Sequence, residues 1–195
     1  MTSVALSLKP FVDRIADTDL ENLCQANPDA RLEIDPEGKL IIMSPTGSES
    51  GKRNTSLIFQ VELWNRQQNL GVVFDSSTGF KLSNGAIRSP DVSWVILAKW
   101  NSLSKQQQRK FAPIDPDFVI ELMSPTDERE ELQSKMQEYM NCGTQLGWLI
   151  DPDVKQVEIY RSSGQKSEIL DNPQILSGED ILPNLTISLK DIFEN

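Results

Sequence analysis

The chain has 195 residues and a formal net charge of -10, from 29 acidic and 19 basic residues. A chain of this length buries enough surface to form a core without disulfides or metal, so we expect one domain over residues 1–195. Histidine is absent, which excludes Ser-His-Asp and Cys-His hydrolysis and zinc sites that rely on histidine. Any reaction would therefore use carboxylates, lysine, hydroxyls or a hard metal ion.

The apolar segments of the chain are too short to cross a membrane. The longest, at 146–150, falls far short of the ~20 residues that a spanning helix requires. The first residues, MTSVALSLKPF, lack the basic segment and the small-residue cleavage site of a secretory signal. We therefore expect a soluble cytoplasmic protein with reduced cysteines and no membrane partner.

The first half of the chain is predicted to form a β-hairpin, a long helix and two strands. Short alternating runs at 31–35 and 39–43 flank a Pro-Glu-Gly turn, which predicts the hairpin. The helix is predicted over 48–69, where one face carries the apolar residues Leu57, Ile58, Val61 and Trp64. The segments 71–75 and 79–82 are typical of strands.

The second half is predicted to alternate buried strands with one helix. The segments 91–97 and 117–123 are largely apolar on both faces, as central strands covered on both sides are. The helix that follows is predicted by apolar residues at i, i+4, i+7 and i+8, namely Leu132, Met136, Tyr139 and Met140. The segments 146–151 and 155–161 are predicted to form a strand pair.

The tail from residue 171 onward is expected to wrap the surface, with a short strand near 185–189. Because helices placed between strands must cover a sheet face, the order of elements predicts an α/β fold of the mixed α+β type. We expect a central mixed sheet flanked by helices, with an N-terminal β-hairpin.

Two carboxylates stand out by their positions on predicted strands. Asp91 opens a strand behind Pro90, and Glu121 lies inside an apolar strand and shares its face with Val119 and Met123. A buried charge is costly unless it is paired or bound to a metal, so Glu121 needs a compensating group. An ion pair with Arg or Lys, or a place near the solvated strand end, would satisfy it as well as a metal site would.

Lys135 lies on the predicted helix that follows the strand of Glu121. On a helical wheel it borders the apolar stripe, so its ammonium could reach the strand ends from which Asp91 and Glu121 project. The alternative is an ordinary i,i+4 pair with Glu131, worth only ~0.2 to 0.5 kcal/mol.

Together these residues resemble the PD-(D/E)XK nuclease superfamily, with an Asp after Pro, a Glu thirty residues on in the next core strand, and a nearby lysine. More closely, the chain resembles the restriction endonuclease family of the Uma-two type. The segments that carry this resemblance are MSPTGSESGKRN at 43–54, RSPDVSWV at 88–95, FVIELMSPTD at 118–127, KMQEYMNCG at 135–143 and GWLIDP at 147–152. The resemblance covers residues 10–190, practically the whole chain.

The resemblance implies a restriction-endonuclease-like core and a Mg²⁺-dependent endonuclease acting on nucleic acid, with DNA as the expected substrate. Asp91 and Glu121 would match the metal-binding carboxylates, with the backbone carbonyl of Leu122 as a further ligand and Mn²⁺ as a substitute metal. Lys135 would match a catalytic lysine that has moved from the strand to the following helix, because the position two after Glu121 is Met123. Glu49 would match an additional acidic position, although a solvated glutamate at a helix start is the alternative.

The charge balance favours a second hypothesis from another class. A net charge of -10 argues against a uniformly basic surface for polyanions, so a nuclease would need a local basic cleft, bound metal or a homodimer that joins its basic patches. The alternative is a catalytically silent module that keeps the nuclease fold and acts through protein partners. Only the nuclease requires a divalent cation at Asp91 and Glu121.

Overall fold

The protein is described by a computed structural model over residues 3–6, 17–43, 45–162 and 167–194, so Ser44 of the 43–54 motif lies outside the described residues. The strands are β1 (Ser3–Leu6), β2 (Arg31–Ile34), β3 (Leu40–Met43), β4 (Gly71–Asp75), β5 (Phe80–Lys81), β6 (Ile87–Arg88), β7 (Val92–Ile96), β8 (Phe118–Leu122), β9 (Leu146–Asp151), β10 (Gln156–Arg161), β11 (Glu168–Asp171), β12 (Ile175–Ser177) and β13 (Thr186–Ser188). The helices are α1 (Asp17–Ala26), α2 (Ser48–Gln68), α3 (Leu97–Asn101), α4 (Lys105–Gln108), α5 (Arg129–Cys142) and α6 (Lys190–Phe193).

A six-stranded mixed sheet forms the centre of the molecule, in the order β11-β10-β9-β8-β7-β4. Strands β8 and β9 are parallel and are connected through α5, whereas the other neighbours in this sheet pair antiparallel. A parallel pair needs a crossover connection, and α5 supplies it while it covers one face of the sheet. This arrangement confirms the mixed α+β class and the predicted central strands.

The two faces of the central sheet pack against different parts of the chain. One face, which includes Ile120 and Trp148, packs against α2 and the C-terminal tail. The other face, which includes Val119 and Leu149, packs against Met136 and Tyr139 of α5. Because side chains alternate along a strand, Glu121 lies on the same face as Val119 and is directed toward α5.

A second, smaller sheet has the order β1-β3-β2-β6-β5 and contains the predicted N-terminal hairpin. In the turn of the hairpin Gly38 has a φ of 82°, a conformation that glycine adopts without steric cost. Strand β2 also pairs with β6 at Ile34 and Ile87, which brings the hairpin next to the segment that leads into β7. The small sheet therefore borders the edge of the central sheet where β7 begins.

The C-terminal tail is more buried than the sequence predicts. The strand expected near 185–189 is present as β13, but the tail does not merely wrap the surface. It contributes fully buried side chains to the larger core, namely Leu176, Leu182, Leu185, Ile187, Leu189 and Ile192. The tail from residue 171 onward carries five acidic residues, and these obscured its apolar pattern in the sequence.

Among the described residues, no helix has the length and apolar character that a membrane span requires. The cytoplasmic location stays a prediction. So does the single domain over residues 1–195, which includes residues outside the described ranges.

Candidate active site

Asp91 and Glu121 meet at one end of the central sheet. Strands β7 and β8 pair Val92 with Ile120, and continuing this antiparallel register by one residue places Asp91 opposite Glu121. Both residues are 4% exposed. The Leu122 N–H donates a hydrogen bond of 2.9 Å to Asp91 Oδ2. The two carboxylates that the sequence singles out therefore lie side by side where the strands end.

Lys135 enters this group from α5. Its Nζ lies 2.9 Å from Glu121 Oε1 and 3.1 Å from Glu33 Oε1, and its side chain is only 13% exposed. One turn further along α5, the Tyr139 hydroxyl donates to Glu121 Oε1 at 2.9 Å. The structure thus brings Lys135 to the carboxylates, and not into a simple surface pair with Glu131.

Glu33 and Arg88 complete the group, and the sequence analysis did not single them out. Glu33 projects from β2 and is almost fully buried. It accepts hydrogen bonds from Arg88 Nη1 at 3.1 Å and from the Ser89 N–H at 2.8 Å. Arg88 in turn binds Glu138 of α5 at 2.6 Å. In an alternating hairpin strand an acid between Leu32 and Ile34 is typical of a solvent-facing position, so no local pattern marks Glu33 as buried.

Burial has the largest effect on the pKa values of Glu121 and Asp91. Burial raises the pKa of Glu121 to about 7, against the attraction of Lys135 and with help from the negative charges of Asp91 and Glu33. Burial also raises the pKa of Asp91, although the Leu122 N–H and Lys135 oppose the shift.

For Glu33 and Lys135, the charged neighbours outweigh burial in setting the pKa. Burial would raise the pKa of Glu33, but Lys135 and Arg88 outweigh it and hold that pKa below its ordinary value. Burial would lower the pKa of Lys135, but Glu121 and Glu33 outweigh it, so the pKa of the lysine is raised and it stays charged.

These side chains line a cleft of about 1090 Å³ between the small sheet, the strand ends and α5. The lining is strongly acidic, with nine carboxylates and three cations. The carboxylates are Glu33, Asp35, Glu37, Asp91, Glu121, Asp127, Glu128, Glu131 and Glu138, and the cations are Lys39, Arg88 and Lys135.

The structure separates the other two candidate positions. Leu122 lines the cleft, and the role of its carbonyl as a metal ligand stays a prediction. Glu49 does not line the cleft; it lies at the start of α2 with a side chain 58% exposed, 2.8 Å from Arg53. From α2, Asn54 reaches the group, and its Nδ2 donates to Asp91 Oδ1 at 3.0 Å.

The residues present fit a hard divalent cation. Asp91, Glu121, Glu33 and Glu138 supply four negative charges. Lys135 and Arg88 pair with these carboxylates, and Arg31 lies near enough to favour the ionised form of Asp91, so the group lacks one cation or proton. Within the described ranges no three acidic or cysteine side chains converge as a complete metal site. A cation would therefore be held by two carboxylates with further oxygen ligands from backbone and solvent, as Mg²⁺ commonly is.

The fold is that of a nuclease-like protein. A solved structure described as a putative nuclease belonging to DUF820 from Anabaena variabilis ATCC 29413 is similar to this chain with a TM-score of 0.70 and 25% sequence identity. The similarity covers 83% of this chain and 89% of that one.

The sequence profile of the Uma2 family, described as "Putative restriction endonuclease", matches residues 17–190. The chain belongs to this family. No protein with a curated description matches it. The family and the fold expected from the motifs are thereby confirmed, and the roles of the individual residues stay predictions.

Proposed function

We propose that the protein is a Mg²⁺-dependent endonuclease that hydrolyses phosphodiester bonds of DNA. The observation that carries the proposal is the buried group at the strand ends, in which Asp91 and Glu121 lie beside a charged Lys135 and the carboxylates outnumber the cations. Membership of a nuclease family supports the same reaction class.

Each side chain has a role that follows from its position. Asp91 and Glu121 would hold the Mg²⁺, with the Leu122 carbonyl as a further ligand. The bound cation supplies Lewis acidity toward the phosphodiester and lowers the pKa of a water nucleophile. Lys135 would orient that water or stabilise the charge that develops on the phosphate, and Glu33 would hold the ammonium at its position.

The deciding experiment compares Asp91→Asn and Glu121→Gln with the wild type in cleavage of duplex DNA and of RNA, with Mg²⁺ or Mn²⁺ and with EDTA. We expect metal-dependent cleavage that falls at least about 100-fold in both variants, because each removes a charge that holds the cation.

Glu158→Gln is the matched control for Glu121→Gln. Glu158 is also a buried strand glutamate, bound by Arg129 at 2.8 Å, but it does not line the cleft. The control should keep its activity. Unchanged cleavage in both site variants would overturn the proposal, and cleavage of RNA alone would overturn the choice of DNA.

One observation favours the silent module that acts through protein partners. Nine carboxylates in the cleft lining repel a phosphate backbone unless cations intervene. The module requires no divalent cation, so titration calorimetry with Mn²⁺ separates the two hypotheses.

The homodimer that would join basic patches stays a prediction, and sedimentation velocity tests it.

A further inference from the structure

Asn54 connects α2 to the candidate metal ligands from the face of the sheet opposite to α5. It is 9% exposed, and its Nδ2 lies 3.0 Å from Asp91 Oδ1. Lys135 and Tyr139 approach the group from α5, whereas Asn54 reaches Asp91 around the start of β7. Asn54 is thus the contribution of the long helix to this site.

The Asp91 carboxylate is held at both oxygens. The Leu122 N–H donates to Oδ2 at 2.9 Å, and Asn54 donates to Oδ1 at 3.0 Å. Two donors on different oxygens fix the rotation of the carboxylate about its terminal torsion. An ionised carboxylate accepts about four hydrogen bonds, so each oxygen keeps a lone pair in a set direction.

The other end of the Asn54 amide has no hydrogen-bond partner among the described residues. Because only the amide nitrogen can donate to an ionised carboxylate, the orientation of the amide is determined and its Oδ1 is left as an acceptor. This oxygen is buried and accepts no hydrogen bond from any residue in the described ranges. Buried acceptors of this kind are rare, since they lose their hydration without compensation.

A second buried asparagine on the same helix shows the contrast. Asn65 Oδ1 accepts from Trp94 Nε1 at 3.0 Å and from the Gly71 N–H at 3.2 Å, and its Nδ2 donates to the Gly71 carbonyl at 3.0 Å. Both ends of that amide are used within the fold. Asn65 is therefore explained by packing, and Asn54 is not.

We propose that Asn54 is a positioning residue that orients Asp91 for cation binding and whose free Oδ1 accepts a hydrogen bond from a water molecule of the cation-loaded site. The inference rests on the proposed function, since it concerns the same cation. It adds Asn54 to the site, and the role of Glu49 as an additional acidic position stays a prediction.

The test is titration calorimetry of the full chain with Mn²⁺ alone, on the wild type, Asn54→Leu and Asn65→Leu. Leucine has nearly the shape of asparagine and lacks its donor and acceptor. Loss of a group that orients a metal ligand typically weakens metal affinity 10–100-fold, and we expect that loss for Asn54→Leu. Asn65→Leu loses a buried amide of the same helix and should stay within about 2-fold of the wild type.

The outcomes separate this inference from the proposed function. Wild-type binding together with an unchanged affinity in Asn54→Leu overturns the positioning role and leaves the nuclease proposal standing. An absence of Mn²⁺ binding by the wild type overturns both. A similar loss in both leucine variants overturns the positioning role, because it assigns the effect to general loosening of α2. If Asn54→Leu does not fold, Asn54→Ser serves in its place, with the same 10-fold threshold.

Discussion

Replacing Lys135 with methionine tests whether its ammonium compensates the buried carboxylates. The ammonium lies 2.9 Å from Glu121 and 3.1 Å from Glu33. Without it, Glu33 still pairs with Arg88, whereas Glu121 loses its ion pair. Removing one partner of a buried pair costs about 3–5 kcal/mol, so we expect the free energy of unfolding to fall by that amount at pH 8 in EDTA.

The pH dependence of this loss follows from the pKa of Glu121, which burial raises from 4.5 to about 7. A carboxyl whose pKa is higher in the native state than in the unfolded state stabilises the fold at pH values below its unfolded pKa. This stabilisation is lost as the pH rises through the native pKa. Without Lys135 that pKa rises further, and holding a proton on Glu121 costs about 1.4 kcal/mol per pH unit above 4.5. The wild type already bears this cost between pH 4.5 and about 7, so the titration of Glu121 adds at most about 1.4 kcal/mol to the difference between variant and wild type at pH 8. That difference should therefore shrink by up to this amount at pH 5, where Glu121 is protonated in both.

The assay is urea unfolding followed by tryptophan fluorescence at pH 8 and pH 5, and the quantity compared is the difference between the variant and the wild type. Lys110→Met is the control, because Lys110 is 46% exposed and its pair with Glu21 should be worth about 0.2–1 kcal/mol at either pH. A loss below about 1 kcal/mol for Lys135→Met at pH 8, or one of equal size at both pH values, would refute the reasoning.

Three further changes test other parts of the structure. Tyr139→Phe removes the hydrogen bond to Glu121 and should lower the free energy of unfolding by about 1.5–3 kcal/mol; a urea midpoint unchanged at pH 8 would mean that the hydroxyl is not needed there. Gly71→Ala should cost about 1–3 kcal/mol and lower the melting temperature, because the added Cβ would lie 2.3 Å from the Trp94 ring and 2.4 Å from the Val95 carbonyl oxygen; a melt equal to that of the wild type would contradict this packing. Glu131→Gln removes a charge from the cleft lining and should speed association of the metal-loaded protein with DNA, measured by stopped-flow at low salt; a rate that does not rise would show that this charge does not face the approaching backbone.

Most of the central sheet could be predicted because its strands are marked by short-range patterns. The segment 71–75 is observed with the same bounds as β4, and 146–151 with the same bounds as β9. The predicted helix over 48–69 ends one residue earlier, where Asn69 adopts a left-handed cap with φ of 53°. In each case the decisive information lies within a few consecutive residues.

Two of the elements that were not predicted, β6 and α6, depend on partners far along the chain. Strand β6 has only two residues and exists because it pairs with β2 at Ile34. Helix α6 has four residues and is held by the burial of Ile192 and Phe193 in the larger core. Such short segments have no periodicity to detect, since tertiary contacts stabilise them.

The residues of the candidate site also differ in whether they could be predicted from the sequence. Asp91, Glu121 and Lys135 could be chosen from the sequence because a charge that interrupts an apolar strand or borders an apolar helical stripe is locally conspicuous. Glu33 lies 55 residues before its partner Arg88, and Asn54 lies 37 residues before its partner Asp91. No local pattern distinguishes an inward-facing asparagine on α2 that packs, such as Asn65, from one that binds a carboxylate.

The location of Glu121 explains how a central strand tolerates such a charge. Glu121 is the fourth of the five residues of β8, so the strand buries its apolar part in the sheet and ends at the cleft. The ion pair between Glu121 and Lys135 joins the end of β8 to α5, the helix that connects the parallel strands β8 and β9. The helix that connects the parallel pair therefore also places Lys135 beside Glu121.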